Sequence, residues 1–493
     1  MRSILLTVAV TFFSSILLSQ PNSTRLSAMG NVSIAVPDPE SEAFQNPARA
    51  ARLRGMTLRL TPAYARNSFV QDRSTKSSSA GSYLSTVSHS EQIQSGIAGT
   101  TDVIIPLASF ILGAQAGYQS NSVKNASNYS NQSSGSGTTN VYSYEESGPS
   151  TTISLLGAID IQGTSVGASV LRDNSKVTLT NASSYSYSPD GSSYSYLDDA
   201  EEEGSNTVFR AGLVGGSTDT YEFAAHGTLV STKVEQRPVR SLYNGVPQTI
   251  IDPMVSRYET NRNVLVAEVR VPADERILFG ARVQRTSSTT ENFQKMRWYD
   301  SSIPEGIYAE RKMGTTDLTA FEIGLGCSWH VASSGLFAAE LALAPSTLTA
   351  KSYYTESGTT PDGRPYRAGA VNSEEENKIL TRMIRVGGEL RVTDDVTLRA
   401  GLMVTWDTHD DEWKQNLDLR TETSNGNYSG SLSGGGGLSY NSDIVRMDYA
   451  VTCIPTNRLL FVPYYDPSYP FRDFATLQQD VSFYHAVTIT LPL

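Results

Sequence analysis

The 493-residue sequence predicts an all-β fold, a transmembrane antiparallel up-and-down β-barrel of about 16 strands. The first sign is the stretch from Glu376 to Trp413. Ile384, Val386, Gly388, Leu390 and Val392 share one parity there, while Arg385, Glu389 and Arg391 take the other. After the turn Thr393-Asp394-Asp395 the scheme repeats. Val396, Leu398, Ala400, Leu402, Val404 and Trp406 fall on one face, with Arg399 and Asp407 opposite. Successive side chains of a strand point to opposite faces, so this is a hairpin with one apolar and one charged side. Each arm exceeds the ~5–6 residues of an ordinary soluble strand and suits the roughly 9–11 tilted residues that cross a bilayer. The second sign is composition. Charged residues make up only 18% and mean hydropathy is −0.27, yet no apolar run reaches the ~18 residues of a membrane-spanning helix. The third is rhythm, because short links alternate with long polar ones as turns and loops do in outer-membrane barrels. A net charge of −11 without a basic stripe excludes a nucleic-acid partner. Two cysteines mark a chain that does not depend on disulfides.

Residues 1–20 read as a signal peptide. Arg2 supplies the positive charge, Ile4–Leu18 is an apolar core too short to span a membrane comfortably, and cleavage is expected near Ser19–Ser23. Residues 21–54 form a separate segment before a barrel over 55–493. Within it Asp38 and Pro39 suit the cap and first position of a short helix over Glu40–Phe44, and Asn46 with Pro47 opens a second over Pro47–Leu53.

The motifs of this segment are Ala28-Met29-Gly30, Ala35 with Asp38, and Ala43-Phe44-Gln45-Asn46-Pro47-Ala48. They resemble the N-terminus of the long-chain fatty-acid transporter (FadL/TodX) superfamily of outer-membrane proteins, whose relatives include secretion-associated PorV-type proteins. The resemblance covers about thirty residues, and one position departs from it: Arg49 stands where the family has Gly. It implies that the segment lies inside the barrel as a hatch or plug, with Asn46, Pro47 and Ala48 as the transferable motif. Roughly 14 strands are typical of that family, so the expectation becomes 14–16 strands.

From residue 55 the strands follow in order. Met56–Tyr64 alternates, a Ser-rich loop is expected over Asn67–Ser90, and a weaker strand over Gln92–Thr100 leads through Thr101–Ser109 to Phe110–Gln119. Long loops are expected over Ser120–Ser150 and Asn181–Asn206, around a pair joined by the tight Gln162-Gly163-Thr164. Further pairs are Thr207–Gly216 with Thr220–Thr232, Asn261–Val271 with Arg276–Thr286, and Asp317–Val331 with Leu336–Thr349. The opening hairpin, Gly430–Tyr440 with Ile444–Ile454, and Asp480–Leu491 complete the set.

Parity then sorts the side chains. Cys327 and Cys453 share the apolar face and behave as small apolar residues. The other face collects Arg210, Glu222, His226, Glu268, Arg270, Arg282, Glu322, Glu340, Arg385, Glu389, Arg399, Arg446 and Asp448. Such charges would cost several kcal/mol each in lipid, so they are expected to line a lumen. There they could form a polar conduit, anchors beneath an apolar ligand pocket, or an ion-pair network that fills the barrel and holds a plug. Asp198–Glu203 lacks the Gly-punctuated spacing of a calcium loop and reads as a solvated acidic run. Gly434–Gly437 suggests close packing or a bend. Five scattered His and no H-E-x-x-H, C-x-x-C or G-x-S-x-G motif point to no enzyme, no metal and no cofactor.

The functional expectation, from the resemblance, is an outer-membrane channel of a Gram-negative-type bacterium. It would take up hydrophobic small molecules, of fatty-acid or aromatic-hydrocarbon type, passively past an N-terminal hatch. Its expected partners are outer-membrane lipid, lipopolysaccharide and a hydrophobic ligand. The alternatives are a plugged, PorV-like partner of a secretion machine and a surface-recognition barrel acting through its Ser/Tyr/Asn loops.

Overall fold

The structure, a computed structural model, describes residues 23–38, 42–53, 55–79, 82–133, 136–188, 192–217, 219–300, 303–331, 334–359, 365–415, 421–460 and 472–492. The expected signal peptide therefore lies outside the described residues, apart from Ser23 at its proposed exit.

Sixteen long antiparallel strands follow one another around a closed sheet. They are β1 (Thr57–Ser79), β2 (Ser82–Leu107), β3 (Phe110–Ser133), β4 (Ser136–Ile161), β5 (Thr164–Ser188), β6 (Ser193–Ser217), β7 (Tyr221–Tyr243) and β8 (Val255–Pro272). The second half comprises β9 (Ile277–Asp300), β10 (Ile303–Val331), β11 (Gly335–Tyr353), β12 (Val371–Arg391), β13 (Val396–Gln415), β14 (Thr421–Asn441), β15 (Arg446–Leu460) and β16 (Arg472–Pro492). Closure comes from β1, which pairs with β2 on one side and β16 on the other. A closed barrel leaves no lateral edge strand, which is what a bilayer requires of a sheet. The opening hairpin is β12–β13, paired from Ser373↔Gln415 down to Arg391↔Thr397. The expected Gln92–Thr100 strand is present within β2.

One end of the barrel carries tight turns. Between β4 and β5 both Gln162 (φ 51°) and Gly163 (φ 84°) have positive φ, the backbone that a two-residue hairpin with right-twisted arms demands. Above these turns lies an outward belt of apolar side chains, among them Ile153 (64% exposed), Leu265, Leu325 and Leu341 (59% each). About nine residues tilted near 40° span roughly 25 Å, the height of a hydrocarbon core. Opposite-parity neighbours are buried, including Arg270 at 1% and Glu340 at 2%.

The strands continue far past the belt, and this corrects the expected long loops. Asn67–Ser90 is mostly strand in β1 and β2, Ser120–Ser150 in β3 and β4, and Asn181–Asn206 in β5 and β6. Individual strands reach 29 residues in β10. A 26-residue strand such as β2 rises roughly 65 Å along the barrel axis at a 40° tilt. The physical reason is plain. Above the bilayer neither face needs apolar residues, so hydrophobic alternation stops while the backbone ladder continues through Ser, Thr, Asn and Tyr. Asp198–Glu203 accordingly lies in β6, where Asp199 pairs with Arg240 and Glu201 with Lys176.

Before β1 the chain forms a helix α1 (Thr24–Ala28), which the sequence reading did not anticipate, and a 3₁₀ helix at Pro47–Arg52. Of the helix expected at Glu40–Phe44, residues 40 and 41 lie outside the described residues, and the chain turns from Glu42 so that the Asn46 N–H donates to the Glu42 carbonyl at 2.8 Å. Cys327 and Cys453 are free thiols on β10 and β15, which are not neighbours.

Candidate functional site: the N-terminal segment against the inner wall

Residues 23–38 and 42–53 touch the wall nearly all the way round. Helix α1 packs on β13–β16 and the 3₁₀ helix on β3–β6. Between them Ile34 lies over Gly280 of β9 and Gly324 of β10. A segment can meet so many consecutive strands of one closed sheet only from within. The strand residues it meets carry the parity opposite to the exposed apolar belt.

Small and apolar residues make this fit. Ala28, Met29, Val32, Ile34, Ala35 and Val36 are all at most 1% exposed. Burying each larger one contributes about 2 kcal/mol. Glycines in the wall admit the segment's backbone. A Cβ on Gly401 would stand 2.1 Å from the Met29 carbonyl carbon, and one on Gly435 would stand 2.5 Å from the Ser27 carbonyl oxygen. The Gly434–Gly437 run thus gives room for close packing.

Asn46 caps the 3₁₀ helix. Its side-chain oxygen accepts from the Ala48 N–H at 3.2 Å, and Pro47 occupies the first helical position, where a missing N–H costs nothing. Loss of such a cap costs about 1 kcal/mol. Asn46→Ala should therefore loosen the docked 3₁₀ helix, seen as a roughly fivefold faster hydrogen–deuterium exchange of its backbone amides.

The cap sets up an ionic clamp. Arg49, 3% exposed, reaches Glu222 of β7 at 2.7 Å, Glu268 of β8 at 3.0 Å and Glu42 at 3.1 Å. Arg52 meets the other Glu222 oxygen at 2.6 Å and donates to the Gly216 carbonyl at 2.7 Å. From the wall, Arg270 reaches Glu42 at 2.8 Å and Glu222 at 3.2 Å, and donates to the carbonyls of Ile34 (2.8 Å) and Ser33 (3.0 Å). Glu340 accepts from the Ser33 and Ile34 N–H groups and pairs with Arg385 at 3.3 Å. Arg282 joins Glu322 at 2.8 Å and the Ser33 hydroxyl at 3.3 Å.

A second cluster holds the other end. Arg25 of α1 pairs with Glu389, which also takes Arg399 at 3.0 Å. Arg399 continues to Asp448 at 2.6 Å, and Arg446 meets the same carboxylate at 2.8 Å. Of the thirteen charged and His positions singled out on this face, most are thus drawn together by the segment. Arg210 is not: it forms no ion pair among the described residues.

Sequence reasoning missed the segment's own share, Arg25, Glu42, Arg49 and Arg52, as well as the wall pair Arg59–Asp102 at 2.6 Å. A signal was present, because Arg49 departs from the resembled motif at the position that becomes the centre of the clamp.

Burial alone would push the Glu42 carboxyl up, but Arg270 and Arg49 outweigh it and hold it below its ordinary value of 4.5. A depressed carboxyl contributes docking stability that is fully present above its ordinary pKa and lost as pH falls through the lower value. Hydrogen–deuterium exchange of the segment's backbone amides, corrected for the intrinsic rate at each pH, should accordingly rise as pH drops below about 4.5, and Glu42→Gln should blunt that rise.

No family model matches the chain, and no curated protein matches its sequence. Among solved structures, the chain is similar to a Pseudomonas aeruginosa FadL homologue, with 12% identity, a TM-score of 0.47, and coverage of 95% of this chain and 98% of that one. It is also similar to the Pseudomonas putida toluene transporter TodX (12% identity, TM-score 0.41, 96% and 98% covered). The Ralstonia pickettii toluene transporter TbuX is a third (11% identity, TM-score 0.36, 95% and 98% covered).

Proposed function

We propose that the protein is an outer-membrane channel for passive uptake of hydrophobic small molecules, closed at rest by its N-terminal segment. The observation that carries this reading is the segment's position against the inner faces of β3–β16, clamped through Arg49, Arg52, Arg270 and Glu340. The Asn46-Pro47-Ala48 motif, shared with the fatty-acid transporter superfamily, supports the same reading from sequence. The tight turns then face the periplasm and the long extensions face the exterior, as outer-membrane barrels are built.

The clamp suits a gate better than a permanent seal. Many ion pairs between two surfaces hold them in one register, yet each pair has a polar alternative once water enters. An apolar solute has no use for such a network, so its passage requires the segment to shift and the charges to be re-solvated.

The test is flux through the purified mature chain in liposomes. Saturable uptake of labelled dodecanoate or toluene, with low ionic conductance, is the expected result. Steady conductance without hydrophobic uptake would make the protein a porin. Absence of both would remove transport and leave a partner-binding role.

A further inference from the structure

The apolar belt on the outer wall has a sharp upper edge, and that edge carries arginine. The last exposed apolar residue of the belt is Tyr64 on β1, Val170 on β5, Val283 on β9 and Ile384 on β12. Two residues further toward the long extensions, at the next outward position, stand Arg66, Arg172, Arg285 and Arg382. Serine, threonine, asparagine or proline fills that position on the other strands from β2 to β11, and an acidic residue never does. The chain as a whole has the opposite bias, with 50 acidic against 39 basic residues.

These arginines have no carboxylate partner among the described residues. Arg172 donates to Thr207 at 2.6 Å and to Asn174 at 3.3 Å, and Arg382 donates to Thr408 at 2.8 Å, neutral groups in every case. Higher on the same outer wall the cations differ. Lys124 meets Glu145 at 2.9 Å, Lys176 meets Glu201 at 3.2 Å and Lys312 meets Glu291 at 2.6 Å. Cations left free of protein carboxylates at one height, and neutralised above it, complement a layer of negative charge at that height.

The aromatic residues fix what that height is. Across the strands Arg66 stands opposite Phe483, Arg285 opposite Phe321 and Arg382 opposite Trp406. Rings at the rim of a membrane barrel mark the level of the lipid head groups. The four arginine strands are three to five strands apart around the sheet, roughly 20–30 Å along the girth at a 40° tilt. That is too far for two of them to share one phosphate.

We propose that Arg66, Arg172, Arg285 and Arg382 are separate phosphate anchors on the lipid-facing wall, each holding a phosphate of the lipid A glycolipid of the outer leaflet. A guanidinium presents parallel N–H groups that a phosphomonoester accepts with two oxygens, and it stays charged at the edge of the hydrocarbon. The phosphate of lipid A is a monoester with up to two negative charges, whereas a glycerophospholipid offers a diester with one. The serine, threonine and asparagine side chains beside the arginines suit the hydroxyls of the sugar that carries the phosphate. The inference uses the outer-membrane orientation of the barrel and goes beyond the uptake reading, because these side chains lie on the opposite face of the wall from the segment.

The test is native mass spectrometry of the full mature chain in neutral detergent, titrated with diphosphoryl lipid A and, in parallel, with phosphatidylglycerol. Lipid A should add in steps up to one copy per arginine, and more tightly than phosphatidylglycerol. Each single change, Arg66→Gln, Arg172→Gln, Arg285→Gln or Arg382→Gln, should remove one step, and the four together should weaken binding about tenfold or more. Arg285→Lys should keep its step with reduced affinity, and Lys124→Gln with Lys176→Gln, higher on the wall, should change nothing. Heat-modifiable migration on gels establishes that each variant is a folded barrel, and the single variants carry the test if the fourfold one does not fold. Lipid A binding that survives loss of the arginines would overturn the proposal. So would equal affinity for phosphatidylglycerol, which would make the rim a general attraction for anionic lipid, or an equal loss on removing Lys124 and Lys176.

Discussion

With the N-terminal segment as the proposed gate, replacing Arg270 with methionine is expected to make the barrel leak. The guanidinium holds Glu42 of the segment and Glu222 of the wall at once, and it also ties down the carbonyls of Ser33 and Ile34. Methionine keeps most of the volume but leaves two buried carboxylates short of a counter-charge. Breaking a buried pair from one side costs 3–5 kcal/mol, and because Arg49 and Arg52 still serve these carboxylates the lower figure, about 3 kcal/mol, applies. That is roughly a hundredfold shift in the docking equilibrium of the segment. Planar-bilayer recordings should show openings about a hundred times more frequent than wild type, with the barrel itself intact.

The second large effect is steric. Gly401→Leu places a side chain where the backbone of Met29 runs, with the first added carbon 2.1 Å from the Met29 carbonyl carbon. Backbone atoms cannot rotate away, so the segment must leave that stretch of wall. Overpacking of this kind costs at least the usual 1–3 kcal/mol. Loss of the contact should expose residues 23–38 to protease added from the short-turn side. Gly436→Ala is the matched control: nothing lies within 4 Å of its added carbon, so it should behave as wild type.

Much of the fold could be read from the chain because a bilayer imposes a simple rule on strands. Wherever the belt crosses lipid, parity separates Leu398 and Leu402 from Arg399, and the structure keeps that division. Above the belt the rule lapses. Stretches such as Ser120–Ser133 pair with strands on both sides but carry polar residues on both faces, so periodicity has no contrast to report. The candidate site was half legible. Glu222, Arg270 and Glu340 stood out because a charge on a membrane strand must face inward. Their partners did not, because Glu42, Arg49 and Arg52 lie in a short irregular segment where a charged residue needs no special excuse. Nor could sequence reveal which charges pair, since Arg49 and Glu222 are 173 residues apart and meet only when the barrel closes.

The central claim is that the N-terminal segment is what closes the barrel. Deleting residues 25–53 and recording single-channel conductance tests it most directly, with heat-modifiable gel migration to establish that the barrel has formed. The account predicts a large, steady conductance where the intact chain shows only rare openings. Equal conductance from the two chains would contradict it, and would mean that the segment packs against the wall without governing passage.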